Sequence, residues 1–302
     1  MKTITTQELE GALNQSPPPT LIDVRLNDDF LAAHIPTAVN NCVFEVAFLE
    51  RMNEITSDKK SPLCVYGAAH TSLESQMAAE KLAAGGFTSV TNYEDGITAW
   101  MAAGLDTEGA QEPPATPSVP DGTFPVDLKE SRVEWLGRNL VNKHWGHVSL
   151  KSGTLSFADE HLAAGDFILD MTSIACDDLK SDPYHDLLVH HLESDDFFDV
   201  KNYPEARFVI NEGKPFSDAS AGSQNLHISG ILTLKGITAP VSFTASAGLT
   251  SDGKPAAQAA FSIDRTIWNI RYGSGKFFHR LADHLVNDDI ELQLRIVADH
   301  SF

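Results

Sequence analysis

The stretch LHISGILTLKGITAPVSFTA, Leu226 to Ala245, decides the fold of the larger half of this chain. Leu226, Ile228, Leu232 and Leu234 fall on alternating positions, so an extended chain places them on one face. Lys235-Gly236 then breaks the run, and Val241 and Phe243 resume the alternation on the way back. Two antiparallel strands joined by a tight turn give this pattern.

Working outward, the same period of two recurs in DDIELQLRIVA, where Ile290, Leu292, Leu294 and Ile296 oppose Glu291, Gln293 and Arg295. Further strands fit KSGTLSFA, DFILDMTSI and ARFVINEG. Six or more antiparallel strands in about 175 residues predict an all-β barrel, because closure removes exposed edges. Two stretches here carry a helical period instead. PYHDLLVHHLESDDFF is apolar on one side through Leu188 and Leu192 before reaching Phe197-Phe198, and is predicted to cap a barrel mouth. KFFHRLADHL places Phe278, Leu281, Ala282 and Leu285 at i, i+3, i+4 and i+7, which predicts a second helix packed on the barrel.

The N-terminal half follows a different rule. TLIDVR, Thr20 to Arg25, and LCVYG, Leu63 to Gly67, are short continuous apolar runs of the kind that strands buried on both faces require. Ser72 to Ala84 reads as a helix with Leu73, Met77 and Leu82 on one face, and SVTNYEDGITAWMAAGL adds a strand and a last helix. An α/β open parallel sheet with helices on both faces follows. Between the halves, GAQEPPATPSVPDGTFP, Gly109 to Pro125, holds five prolines and no hydrophobic period. It reads as a linker between a domain at 1–108 and a domain at 126–302.

The 302 residues carry a formal net charge of −20, which argues against nucleic acid or an anionic membrane surface as partner. No apolar run approaches the ~20 residues that span a bilayer. MKTITTQELEGAL has neither an apolar core nor a small-residue cleavage site, so the expectation is a cytoplasmic protein without integral membrane association. Cys42, Cys64 and Cys176 are widely spaced with no C-x-x-C pair, which predicts reduced, buried thiols.

LIDVR, Phe30, HIPTAVNN from His34, the loop after VY, and EDGITAWMAAG make the N-terminal half resemble the rhodanese family. That resemblance implies a catalytic cysteine opening the loop, its thiolate stabilised by backbone N–H groups and the following helix N-terminus. Aligned on VY, the nucleophile position is Gly67, the family's loop arginine falls at Ser72, and Thr37 replaces a family glycine. The loop Gly67, Ala68, Ala69, His70, Thr71, Ser72 therefore has no sulfur atom. Cys64, three residues earlier in an apolar strand, is expected to be buried with a raised pKa. His70 remains a loop base or anion contact, or a solvated surface side chain. The expectation is a domain without sulfurtransferase activity, used for docking to a protein partner or for regulation. Its backbone cradle stays available for a sulfur oxyanion, a phosphate or a partner's carboxylate.

VEWLGRNLVNKHWGHVSLKSGTLSF, ILDMTSI, SDDFFDVKNYPEARFVI, SGILTLKGITAPVSF and DDIELQLRIVA make the C-terminal half, from about Ser131 to Ala298, resemble the YceI-like family. The resemblance implies an eight-stranded, antiparallel, lipocalin-like barrel that binds polyprenoids or isoprenoid quinones, tail inside and head near the mouth, with no cofactor. Phe157, Phe167, Leu169, Leu188, Leu192, Phe197, Phe198, Leu232, Leu234 and Trp268 are the candidate lining. Arg265, Arg271 and Tyr272, near Asp264 and Lys276, are candidate headgroup contacts, internal ion pairs being the other use of the arginines. His144 and His147, at i and i+3 on a strand, point to opposite faces, and His185 and His190 do not share a helix face with i, i+5 spacing, so no metal site is expected. His191 lies in the same capping stretch. Two competing functions remain: sulfane-sulfur handling through another cysteine, such as Cys176 in SIACDD, and an interaction scaffold with a filled barrel.

Overall fold

The chain forms two compact units that divide within the proline-rich stretch. The computed structural model describes residues 2–109, 119–159, 161–220, 222–250, 252–281 and 284–299. Most of the predicted linker therefore lies outside the described residues. Its last four residues, Gly122–Pro125, are a strand of the second unit rather than linker, because they pair with Thr154 to Phe157.

The first unit runs β1 (Lys2–Thr3), α1 (Thr6–Leu13), β2 (Thr20–Asp23), α2 (Asn27–Ala32), β3 (Val39–Asn40), α3 (Phe48–Ile55), β4 (Leu63–Tyr66), α4 (Glu74–Ala84), β5 (Val90–Tyr93) and α5 (Gly96–Ala102). Its sheet has the order β1-β5-β4-β2-β3, every pair parallel. Alternation along β4 explains the continuous apolar run: Leu63 and Val65 enter one core with Phe48, Met52 and Leu82, while Cys64 and Tyr66 enter the other with Leu9, Ile35 and Trp100. The expected apolar face of α4 is different. Ser75, Ala78, Ala79 and Leu82 are buried, and Leu73 and Met77 are exposed, because small residues let this helix lie close against the sheet. Thr37 has φ 70°, the left-handed conformation that a glycine adopts without strain.

The second unit contains β6 (Gly122–Pro125), β7 (Arg132–Arg138), β8 (Lys143–Ala158), β9 (His161–Cys176), α6 (His185–Glu193), β10 (Glu205–Pro215), β11 (Leu226–Leu234), β12 (Ile237–Leu249), β13 (Pro255–Asp264) and β14 (Asp289–Val297). Strands pair antiparallel in the order β7-β14-β13-β12-β11-β10-β9-β8, and β8 returns to β7, closing an eight-stranded barrel. β6 adds to the far half of β8. The β11–β12 hairpin forms as its sequence requires: Leu234 pairs with Ile237, and Lys235 and Gly236 take φ of 48° and 72°, the doubly positive turn that matches strand twist. α6 confirms the predicted capping helix.

KFFHRLADHL does not form the second predicted helix. Its described residues are turns and coil, Phe278 is 49% exposed, and Arg280 sits at φ 63°, which no α-helix accommodates. Ala282 lies outside the described residues. Lys276 is held instead by Asp264 at 2.7 Å, fixing this segment against the end of β13.

Candidate functional site

Inward-facing side chains of the barrel leave an apolar cavity of about 100 Å³. Val133, Phe167, Phe208, Ile228, Leu232, Phe243, Phe261 and Leu292 are among its lining residues, and Gln258 is its one polar member. A cavity of this character stays dry and accepts an apolar guest. Two residues further along the same strand faces, Trp135 follows Val133 on β7 and Ile290 precedes Leu292 on β14. There a smaller cavity of about 50 Å³ lies under Leu192, Phe197 and Phe198. The indole Nε1 of Trp135, which lines it, is buried without an acceptor.

The sequence candidates distribute over these spaces unevenly. Phe167, Leu169 and Leu232 line the main cavity, and Leu192, Phe197, Phe198 and Arg265 line the smaller one. Phe157, Leu234 and Trp268 are buried in the surrounding core without lining either cavity, and Leu188 packs on that core half-buried from α6. Phe208, Val241, Phe243, Phe261, Leu292, Leu294 and Ile296 line the main cavity and were absent from the candidate set. Strand alternation already placed five of them on one face of their strands: Val241 and Phe243, and Leu292, Leu294 and Ile296. What the sequence did not show was which face is the lumen.

Arg265 lines the smaller cavity, but its guanidinium N–H groups are turned to the backbone. It is 1% exposed, and its Nε, Nη1 and Nη2 donate to the carbonyls of Asn287, Ile270 and Val286 at 3.0, 2.7 and 3.1 Å. With Asp288 at 3.7 Å, the guanidinium is spent on tying the chain before β14 to the end of β13. Trp268 is likewise structural, its Nε1 donating to the Leu232 carbonyl at 3.1 Å. Arg271 and Tyr272 do lie at an exposed hollow, with Lys235, Arg280 and His284 as well as Asp195 and Asp196 on its walls. The Arg271 guanidinium stacks on the Phe277 ring at 4.7 Å. Between this hollow and the smaller cavity stand three packed rings, with Tyr272 4.4 Å from His191 and 5.5 Å from Phe197.

His144, His147 and His185 are paired with carboxylates. His144 Nδ1 meets Asp178 and His147 Nδ1 meets Asp177, each at 2.8 Å, binding the segment after β9 to opposite faces of β8. Burial raises the Asp178 pKa, but the Trp145 N–H and the His144 ring outweigh it and hold the carboxyl below its ordinary value. His185 contacts Asp186 and the Cys176 carbonyl. Among the described residues no three His, Cys, Asp or Glu side chains gather as metal ligands.

In the first unit, the loop from Gly67 to Ser72 follows the C-terminal end of β4 and precedes α4. The Ile97 and Thr98 amides donate to the Gly67 and Ala68 carbonyls at 3.1 and 3.0 Å. Gly96, at φ 66°, permits this approach, since a Cβ there would stand 2.6 Å from the Gly67 oxygen. The space where a side chain at 67 would begin is occupied: a Cβ on Gly67 would lie 2.6 Å from Glu74 Oε2. That carboxylate oxygen accepts from the Ala68 N–H at 2.9 Å. The cradle expected to be open to an external anion thus holds the chain's own carboxylate. His70 points away to Glu94 and Asp95, at 3.5 and 3.8 Å. Cys64 and Cys176 are both buried, and burial pushes their thiols up to about 12 and about 11, Asp178 adding to the effect at Cys176.

A closed antiparallel barrel with an apolar lumen, preceded by a parallel α/β domain, defines a two-domain protein whose second half has lipocalin-like architecture. Residues 124–298 match the YceI-like domain, and the chain belongs to that family. Residues 5–103 match the rhodanese-like domain. A UPF0312 protein of Pseudomonas putida (strain W619) is 46% identical over 56 residues, 18% of this chain and 27% of the relative, so the chain spans about a quarter of the curated relatives it matches. Among solved structures, BcnA of Burkholderia cenocepacia is 22% identical, covering 57% of this chain and 99% of its own, with a TM-score of 0.45. A polyisoprenoid binding domain from Saccharophagus degradans is 14% identical, covering 59% and 98%, with a TM-score of 0.43. For the first unit, the Alr3790 protein from Anabaena is 27% identical, covering 35% and 91%, with a TM-score of 0.32. Among the described residues no helix is long and apolar enough to cross a membrane.

Proposed function

We propose that the barrel binds a chain-like apolar or amphiphilic ligand of polyprenoid or isoprenoid-quinone type, and that the rhodanese-like unit is a non-catalytic docking or regulatory module. The observation that carries the first part is the lumen itself: an apolar cavity and, further along the same faces of β7 and β14, a second cavity at Trp135, whose indole N–H is buried without an acceptor. Apolar burial supplies about 25 cal/mol per Å², so a tail needs no polar partner inside. An unsatisfied buried donor costs about 1–3 kcal/mol, and a carbonyl oxygen on the ligand relieves it. A quinone-type head fits that donor, with Tyr272 and Arg271 lying further out. A barrel used only as a scaffold has no use for either feature.

For the second part, Gly67 supplies no nucleophile, Glu74 fills the cradle, and the raised Cys64 and Cys176 thiols are poor sources of thiolate. These features disfavour the sulfur-handling alternative. Leu73 and Met77, exposed one turn apart at the start of α4, give a docking module an apolar surface beside the loop.

Titration of the full chain with a long-chain isoprenoid quinone in dilute detergent, read by tryptophan fluorescence, tests the reading. Saturable quenching near one equivalent is expected, and Trp135→Phe is expected to weaken binding by about tenfold, the value of one lost buried hydrogen bond. A linear, non-saturating response sinks the proposal.

A further inference from the structure

The barrel wall is not paired along its whole length. The β12–β13 ladder holds from Leu249↔Pro255 to Ala245↔Ala259 and stops there, although β12 continues back to Ile237 and β13 continues on to Asp264. Both strands keep their other partners over this interval, β12 with β11 and β13 with β14, so each is fully formed and only their mutual contact is missing. On the extrapolated register Phe243 would face Phe261. Their rings stack at 4.0 Å with planes 1° apart, and both line the main cavity. Two aromatic side chains, rather than backbone hydrogen bonds, therefore close the wall at this seam.

The capped end offers no comparable route. Arg265 is locked by three backbone carbonyls, Trp268 by the Leu232 carbonyl, and Phe197 lies buried beside them. Opening there breaks several buried hydrogen bonds at once, each left unmade at a cost in free energy. Opening the seam breaks none of the ladder, because none exists between 238–244 and 260–264; it requires only that Phe243 and Phe261 change rotamer. It also enlarges the cavity where it is needed, since about 100 Å³ is less than a long tail occupies.

Resting on the ligand reading above, we infer that the β12–β13 seam is a lateral gate, with Phe243 and Phe261 as its leaves, through which the apolar chain slides sideways into the lumen. Side loading admits tails whose polar head need never cross the apolar core, and selects chain-like molecules over compact ones.

Ser242 and Ser262 are exposed and would oppose each other across the seam, so Ser242→Cys/Ser262→Cys, joined by oxidation or by a short bismaleimide, staples it. Gly248→Cys/Ala256→Cys places an equivalent staple within the existing ladder, at positions that line neither cavity. The native cysteines at 42, 64 and 176 are buried and do not compete. Stopped-flow uptake of the quinone is expected to slow by about tenfold or more in the stapled seam, to recover on reduction or in the unlinked variant, and to remain unchanged with the control staple. Phe243→Ala/Phe261→Ala is expected to accelerate both uptake and release. Equal uptake with the seam stapled and open overturns the gate while leaving ligand binding standing; failure of the unlinked protein to bind quinone at all overturns both.

Discussion

Gly67→Cys alone is expected to leave the chain without thiosulfate:cyanide sulfurtransferase activity, even though it puts a thiol at the position that the rhodanese resemblance aligns with the nucleophile. A Cβ at this position meets Glu74 Oε2 at 2.6 Å and Glu74 Cβ at 3.0 Å, so the new side chain must displace a carboxylate bonded to the Ala68 N–H. Overpacking of that kind costs about 1–3 kcal/mol. The thiol would also emerge beside a negative charge, which raises its pKa and reduces the thiolate fraction. Glu74→Gln removes the charge and keeps the shape. The double variant Gly67→Cys/Glu74→Gln is therefore expected to react with iodoacetamide at neutral pH about tenfold faster than the single variant, one pKa unit being a factor of ten in thiolate. Appreciable thiocyanate production by the single variant would contradict the assignment of Glu74 as occupant of the cradle.

Trp268→Ala is expected to destabilise the barrel by about 3–5 kcal/mol, the cost of truncating a fully buried tryptophan. Trp268 is 1% exposed and donates to Leu232 on the neighbouring hairpin, so the substitution opens a void and removes that hydrogen bond. For a domain of this size about 1 kcal/mol corresponds to 2–4 °C, which puts the fall in the barrel's melting midpoint at roughly 6–20 °C. Differential scanning calorimetry reads it against the transition of the first unit, which the change does not touch. A shift of only a degree or two would mean that Trp268 is not part of the closed core.

Much of this architecture was legible in the chain because it rests on local rules. Period-two alternation in Leu226–Leu234 and Ile290–Ile296 gave the strands, and Lys235-Gly236 gave the turn, since backbone conformation at a two-residue hairpin is decided by those two residues. The failures were of two kinds. KFFHRLADHL has a helical period, yet the Lys276–Asp264 contact and the Arg280 backbone hold it as coil, a tertiary effect that periodicity does not contain. Phe157, Leu234 and Trp268 were expected to line the cavity and are buried in the core instead, because an apolar pattern does not distinguish core from lumen, which depends on how far opposite walls stand apart. Glu74 and the β12–β13 seam were invisible for a related reason: each is an encounter between elements, one filling a space that another leaves.

The central claim is that the barrel holds a chain-like apolar guest, and mass spectrometry of the organic extract of the purified full chain tests it most directly. The same measurement is made on protein incubated with a long-chain isoprenoid quinone and freed of excess by gel filtration. The account predicts close to one retained lipid per chain in the loaded sample. Extracts free of lipid before and after loading would contradict it.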